Sequence, residues 1–187
     1  FVNGNDLYIS GIKNSKAWFW KNNTATQLST DPAYGYVIAN SIVVSGSDVH
    51  IAGMAEEATT YRKQAIYWKN NAPQMLNAGS NTENSYALSI AASGADVYIA
   101  GYKTIIGGGT AVVLWKNGTA TELISSPSVD YGNINLFVSG TDVYVTCYEY
   151  NFPATEQIRL WKNGTPVTFP SSPLGAAPYC LFVNGSD

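Results

Sequence analysis

Charge is scarce in this sequence. Asp, Glu, Lys and Arg make up 12% of the 187 residues, about half the share of an ordinary soluble domain. The basic residues form no cluster and the net charge is -3, which excludes the electrostatic footprint of a nucleic-acid partner or an anionic membrane surface. Histidine occurs once, at His50. One imidazole without a column of nucleophiles makes no catalytic triad, and it is too little for a typical zinc site. Cysteine occurs twice, at Cys147 and Cys180, at a spacing of 33 that matches no metal motif. The pair reads as two free, buried thiols, or as a disulfide if neighbouring repeats bring them together. No apolar run approaches the roughly 18 residues of a membrane-spanning helix, so no membrane insertion is expected. No secretory leader is present, and a chain that opens on Phe1 in mid-repeat is compatible with one removed upstream.

Asn, Ser, Thr, Gly and Tyr fill the gap that charge leaves, a composition suited to short strands joined by polar turns. Within it one phrase is said four times. Its clearest copy is Ala111 to Gly118, and the others are Ala17 to Asn23, Ala65 to Asn71 and Ile158 to Gly164. The tryptophans of this phrase, Trp20, Trp68, Trp115 and Trp161, are spaced 48, 47 and 46 residues apart. A second phrase runs from Phe1 to Gly11 and returns at Val43, Ala91 and Phe137, with a fifth copy opening at Phe182. Self-similarity at this period indicates a repeat architecture.

Each repeat reads as four strands. In the second, Ser41 to Ser45, Val49 to Met54, Ala65 to Lys69 and Pro73 to Leu76 carry the strand signal, with Pro73 at a strand start where a missing N–H is tolerated. Asn117-Gly118 and Asn163-Gly164 are type I′ hairpin turns, and Asn22-Asn23 and Asn70-Asn71 stand in the same place. Strands such as Ala65 to Trp68 are apolar on both faces, so they lie inside a stack of sheets. The expected fold is therefore all-β: a β-propeller of four-stranded blades, in four repeats of about 46 residues. The repeats span 1–40, 41–88, 89–134 and 135–181 within one domain, and 182–187 begins a fifth. Four blades make either a closed ring or part of a larger propeller, and the mid-repeat start favours the second. Variable loops are expected at Ile12 to Lys16, Ala55 to Gln64, Lys103 to Thr110 and Glu149 to Gln157, and function concentrates in such loops.

The pattern Ala-Val-Val-Leu-Trp-Lys-Asn-Gly, with Leu123 five residues on, resembles bacterial extracellular repeat proteins of the HAF type. Those alternate an Ala-Phe-Leu-Trp-x-Asn-Gly strand pair with a Gly-containing hairpin. The chain is also similar to the propeller-like repeats of Bacteroidota surface proteins. Both resemblances imply a secreted or surface-anchored bacterial protein and neither implies a chemistry.

Two recurring charge columns have structural readings. Asp6, Asp48, Asp96, Asp142 and Asp187 each follow a turn glycine by two residues. A ring of carboxylates could bind Ca²⁺, but this placement is that of an Asx hydrogen bond closing the turn. Lys21, Lys69, Lys116 and Lys162 read as solvated residues at strand ends. His50 occupies the column of Tyr8, Tyr98 and Tyr144 and reads as packing. No metal or cofactor is expected. The candidate ligand contacts are aromatics, with their neighbours, that no repeat requires: Tyr61, Arg62, Tyr102, Lys103, Tyr148, Glu149, Tyr150 and Phe152. Flat rings beside amides and carboxylates suit a glycan or a protein surface. A glycosidase would need a matched acid pair from Glu56, Glu57, Glu83, Glu149 or Glu156, and adjacency of Glu56 and Glu57 points their side chains apart. The expectation is a non-enzymatic binding or scaffold module, with a fragment of a propeller glycosidase or lyase and a structural spacer as the alternatives.

Overall fold

A computed structural model describes residues 1–151, 155–168 and 178–183. It holds four antiparallel sheets of four strands, each sheet built from consecutive strands. The first contains β1 (Val2–Asn3), β2 (Asp6–Lys13), β3 (Lys16–Lys21) and β4 (Thr24–Gln27). The second contains β5 (Tyr34–Ser45), β6 (Asp48–Glu57), β7 (Lys63–Lys69) and β8 (Ala72–Met75). The third contains β9 (Thr82–Ser93), β10 (Asp96–Ile105), β11 (Thr110–Lys116) and β12 (Thr119–Ser126). The fourth contains β13 (Asp130–Ser139), β14 (Asp142–Asn151), β15 (Thr155–Lys162) and β16 (Thr165–Val167). These are four blades of a β-propeller. The first strand of each full blade begins earlier than its apolar core suggests: β5 starts at Tyr34, not at Ser41. The half before Ser41 carries two register shifts, between Tyr34 and Tyr36 and between Ala39 and Ser41, so the period-2 pattern is broken there although Val37 and Ala39 are buried.

The blades stack through their faces. Ala17 and Leu28 of the first blade meet Val37, Ile51, Ile66 and Trp68 of the second. Ala52, Ala65 and Leu76 of the second meet Ile90, Ile99, Val113 and Trp115 of the third. Ala100 and Val112 of the third meet Leu136, Val145, Cys147 and Trp161 of the fourth. Trp68, Trp115 and Trp161 thus each face the preceding blade. The indole N–H of Trp68 donates to Ser29 O and that of Trp115 to Asn77 O, both at 2.7 Å, on the segment by which the chain leaves the preceding blade. Among the described residues no apolar cluster joins the fourth blade to the first, so the blades form an open arc.

First strands lie side by side at the inner edge and are tied by a serine column the sequence reading did not single out. Ser41 Oγ accepts from Ile90 N at 3.3 Å, and Ser89 Oγ accepts from Leu136 N at 3.2 Å. The bulges sit here too. Leu88 is the extra residue of β9 opposite Gly101, and a methyl group at Gly101 would stand 1.8 Å from Tyr86 O, so no side chain fits. In the fourth blade Cys147 takes this place and the register gap is wider, from Gly132 to Asn135, which leaves room for a thiol. Cys147 is buried and free, with its pKa pushed up to about 12 by burial first and then by Glu149. Cys180 is also free but exposed, where the sequence suggested burial.

Candidate functional site

The hairpin turns place two different rims at the two ends of the strands. One rim is the same in every blade. Asp6, Asp48, Asp96 and Asp142 pair with Lys21, Lys69, Lys116 and Lys162 at 2.7, 2.7, 2.8 and 2.7 Å. The asparagine that opens the next hairpin turn joins them. Asn22, Asn70, Asn117 and Asn163 donate through Nδ2 to the same carboxylates at 2.9, 2.8, 2.7 and 2.8 Å. Their Oδ1 atoms accept from the backbone N–H of Leu7, Val49, Val97 and Val143. The lysine lies over Tyr8, Tyr98 or Tyr144 in three blades. Its hydrogen bond first, and then that of the asparagine, hold each aspartate below its ordinary value. The aspartate and lysine columns read separately from the sequence are therefore one clasp, in place of the Asx bond and the solvated lysine expected. The fifth aspartate, Asp187, lies outside the described residues.

His50 breaks this pattern, taking the tyrosine position of the second blade. It is buried, and its Nδ1 is 2.6 Å from Tyr67 Oη. Burial first, then Lys69, lowers its pKa. A cavity of about 340 Å³ opens beside it, but the charged groups that line it, Asp48 and Lys69, are already paired with each other.

The other rim differs from blade to blade, and most of the candidate contacts fall there. Only Tyr61 and Arg62 lie in a loop among the described residues, because the strands run further than expected. Tyr61 is 69% exposed and holds φ at 59°. Arg62 Nε donates to Glu83 O at 3.3 Å and ties its loop to the third blade. Tyr102 and Lys103 are in β10, and Tyr148, Glu149 and Tyr150 are in β14, not in loops. Phe152 lies outside the described residues. Alternation then separates neighbours. Lys103 turns back toward the second blade, is buried, and bonds to Glu122 and to Ser80 O, each at 3.0 Å. Glu149 is buried facing the third blade and is held by Arg159 and Gln157. Burial pushes its pKa up, but the guanidinium and amide outweigh that and leave it below its ordinary value. Both charges are engaged within the fold and are not presented to a ligand. Tyr148 and Tyr150 stack with centroids 6.3 Å apart on the outward face of the fourth blade.

Tyr102 points forward into the crevice between the third and fourth blades. It stacks on its cross-strand partner Tyr86, with centroids 4.5 Å apart and planes 16° from parallel. The cleft has a volume of about 490 Å³ and its lining includes Leu88, Thr104, Asp130, Tyr131 and Asn133. Burial first, then Tyr86 and Asp130, pushes the Tyr102 phenol up to about 12, so it remains a neutral donor. Tyr131 stands at about 12 as well, from burial and then Glu149. The cleft thus offers the rings of Tyr102, which is backed by Tyr86, and Tyr131, with hydroxyl groups, an amide and one carboxylate. Such a surface can stack a flat apolar ring face and satisfy hydroxyls around it. Sequence reasoning missed Tyr86, Asp130, Tyr131 and Asn133. A signal existed, since Asp31 and Asp130 are the aspartates that fall outside the repeating column.

The fold is that of a β-propeller, with a crevice between its third and fourth blades. No family model matches the chain, and no curated protein matches it. Solved structures do. A GH32 β-fructofuranosidase of Bombyx mori superposes on 86% of this chain with a TM-score of 0.52 and 9% identity. A fucose lectin from Kordia zhangzhouensis, in complex with methyl-fucoside, superposes on 71% of it with a TM-score of 0.50 and 11% identity. The chain spans 44% of the enzyme's length and 99% of the lectin's. At these identities the likeness establishes the propeller fold. No helix among the described residues is long and apolar enough to cross a membrane.

Proposed function

We propose that this chain is a non-enzymatic glycan-binding module of a secreted or surface-anchored bacterial protein, and that the cleft between its third and fourth blades holds the saccharide. The observation that carries this reading is Tyr102, braced by its stack on Tyr86, together with Tyr131, Asp130 and Asn133 in an open crevice. An aromatic wall with a carboxylate and an amide meets the two faces of a sugar, one apolar and one rich in hydroxyls. The structural likeness to a fucose lectin and to an enzyme acting on fructofuranosides supports a saccharide over a protein ligand. The low charge and the bacterial surface-repeat resemblance support the location. A hydrolase needs two matched acids, and among the residues lining this cleft the one carboxylate is Asp130.

The test is a thermal-shift screen with neutral mono- and oligosaccharides, including fucosides and fructosides. A saccharide at a hundred times its Kd adds about 2.7 kcal/mol, worth roughly 5 to 10 °C in Tm for a chain of this size. Tyr102→Ala and Asp130→Asn are expected to abolish the shift, and the sugar should be recovered intact. Cleavage of the sugar would move the assignment to a hydrolase. A shift that survives both substitutions would remove this cleft, and no shift with any sugar would leave the spacer reading.

A further inference from the structure

Nearly every charge in this chain has a partner within the fold, and the exception lies in the cleft between the third and fourth blades. All 10 basic residues are among the described residues. Four lysines close the clasps of the repeated rim. Lys63, Lys103 and Arg159 pair with Glu56, Glu122 and Glu149. Lys16 donates to Tyr34 O and Arg62 to Glu83 O, and Lys13 lies over the Trp18 ring. None of the 10 lines the cleft. The acids are engaged in the same way. Beyond the ion pairs, Asp31 accepts from Ala33 N, Glu57 from Thr60 and Gln64, and Glu83 from Thr104, while Glu156 bonds to Tyr148. Among the described residues this leaves one carboxylate with neither a hydrogen bond nor an ion pair, Asp130, and it lines the cleft with its side chain exposed.

The rest of the cleft suits that lone charge. Tyr102 and Tyr131 line it beside Asp130, and the face of an aromatic ring attracts a cation as a carboxylate does. The other polar groups, Thr104, Thr110 and Asn133, are neutral. A solvated carboxylate needs no partner in the free protein. A ligand that fills the cleft takes that water away, and an unpaired charge is costly to desolvate unless the ligand brings the opposite one. A sugar hydroxyl replaces the lost water in kind, an anionic sugar adds repulsion, and an ammonium group gains from the carboxylate and the rings together.

We propose that the saccharide held in this cleft carries a protonated amine, as an amino sugar without its N-acetyl group does, with Asp130 as the ion-pair partner and Tyr102 and Tyr131 as the rings beside the ammonium group. The proposal rests on the glycan-binding reading above and narrows it to one class of ligand. Asp130 then sets specificity. It favours the free amine over the N-acetylated sugar, which is neutral, and over a uronic acid, which it repels.

The experiment is calorimetric titration of the full 187-residue chain at low salt and about pH 6, where a sugar amine is charged. The probes are glucosamine, galactosamine, mannosamine and the glucosamine tetramer, each beside its N-acetylated counterpart, with neutral hexoses and galacturonate as further arms. The best-bound amine is expected to bind about tenfold more tightly than its acetylated counterpart, and galacturonate most weakly of all. Added salt should narrow the gap. Asp130→Asn is expected to remove the preference, and because this side chain makes no bond within the fold the variant should melt as the wild type does. Acetylated or neutral sugars that bind as tightly as the amines would overturn the ammonium assignment and leave the saccharide reading standing. So would a preference that survives Asp130→Asn. Binding by no sugar, amine or neutral, would overturn both.

Discussion

The two rims of the arc are built by the same strands and obey different rules. On one, Asp, Lys and Asn return at the same spacing in every blade and make the same contacts to within about 0.2 Å. On the other, the residues at matching positions share little: Ile12, Met54, Tyr102 and Tyr148 occupy one column, and Asn14, Glu56, Thr104 and Tyr150 the next. The repeated rim holds each blade's own hairpins together, and a device needed by every blade recurs in every blade. Asp130 in the cleft and Tyr86 behind Tyr102 recur in none, so the fold does not demand them. Within a repeat protein, departure from the period marks where a ligand can be served, and adherence marks where the fold is served.

The largest test of that division is made beneath the repeated rim. Trp115 is fully buried and its indole donates to Asn77 O. Trp115→Ala is expected to cost about 3 to 5 kcal/mol in urea unfolding, as large-to-small core changes do. Trp20→Ala, in the same column but outside the three clusters between blades, is expected to cost much less. Equal losses would break the claim that blade stacking, and not the blade itself, gives the tryptophan its role.

Asn117→Ala comes next. Asn117 sits at φ 51°, donates to Asp96 and accepts from Val97 N. Alanine loses both bonds and tolerates that backbone poorly, so a loss of about 1 to 2 kcal/mol is expected, with saccharide binding at the opposite rim unchanged. A change in saccharide affinity measured by calorimetry would show that the rims are not independent.

The division was partly legible in the sequence. Period, strand number and turns were readable because tryptophan, glycine and Asn-Gly recur at fixed spacing, and these are residues whose chemistry dictates their place. The clasp was readable only as separate columns. Asp96 and Lys116 are 20 residues apart, and it is the β10–β11 register, Tyr98 opposite Lys116, that brings them together. The cleft was hardest to see. Tyr102 was picked out as unexplained by the repeat, but its partner Tyr86 lies in the polar outer half of β9, where alternation is interrupted by the bulge at Leu88. Lys103 and Glu149 looked like loop charges because the strand signal fades there, and only burial between blades shows that they are spent on Glu122 and Arg159.

Acid titration sharpens the comparison from the repeated side. Asp6, Asp48, Asp96 and Asp142 all stand below the ordinary value of 3.8 in the folded chain. A carboxyl with a depressed folded pKa contributes stability that is present above its unfolded pKa and is lost as pH falls through the folded value. Tm is therefore expected to hold steady down to about 4 and then to decline, and added salt should shrink the decline because the pairs are exposed. The variant with all four aspartates changed to Asn should show a flatter profile below 3.8. An unchanged profile would place the acid sensitivity elsewhere, with buried Glu149 the first group to examine.

The smallest expected effect falls on the variable rim and runs in the opposite direction. Tyr61 is a bulky residue in the left-handed region at φ 59°, with its ring in solvent and its N–H donating to Glu57 O at 3.1 Å. That conformation costs a non-glycine residue roughly 1 to 2 kcal/mol, and glycine relieves it while adding chain entropy to the unfolded state. Tyr61→Gly is therefore expected to raise stability by about 0.5 to 1 kcal/mol. Every substitution that breaks the repeated rim should destabilise, so a gain here would be the clearest sign that the variable rim carries residues kept for something other than folding. A loss would mean that the Tyr61 ring packs against its own loop, and Tyr61 would then leave the set of candidate ligand contacts while the Tyr102 cleft stood unaffected.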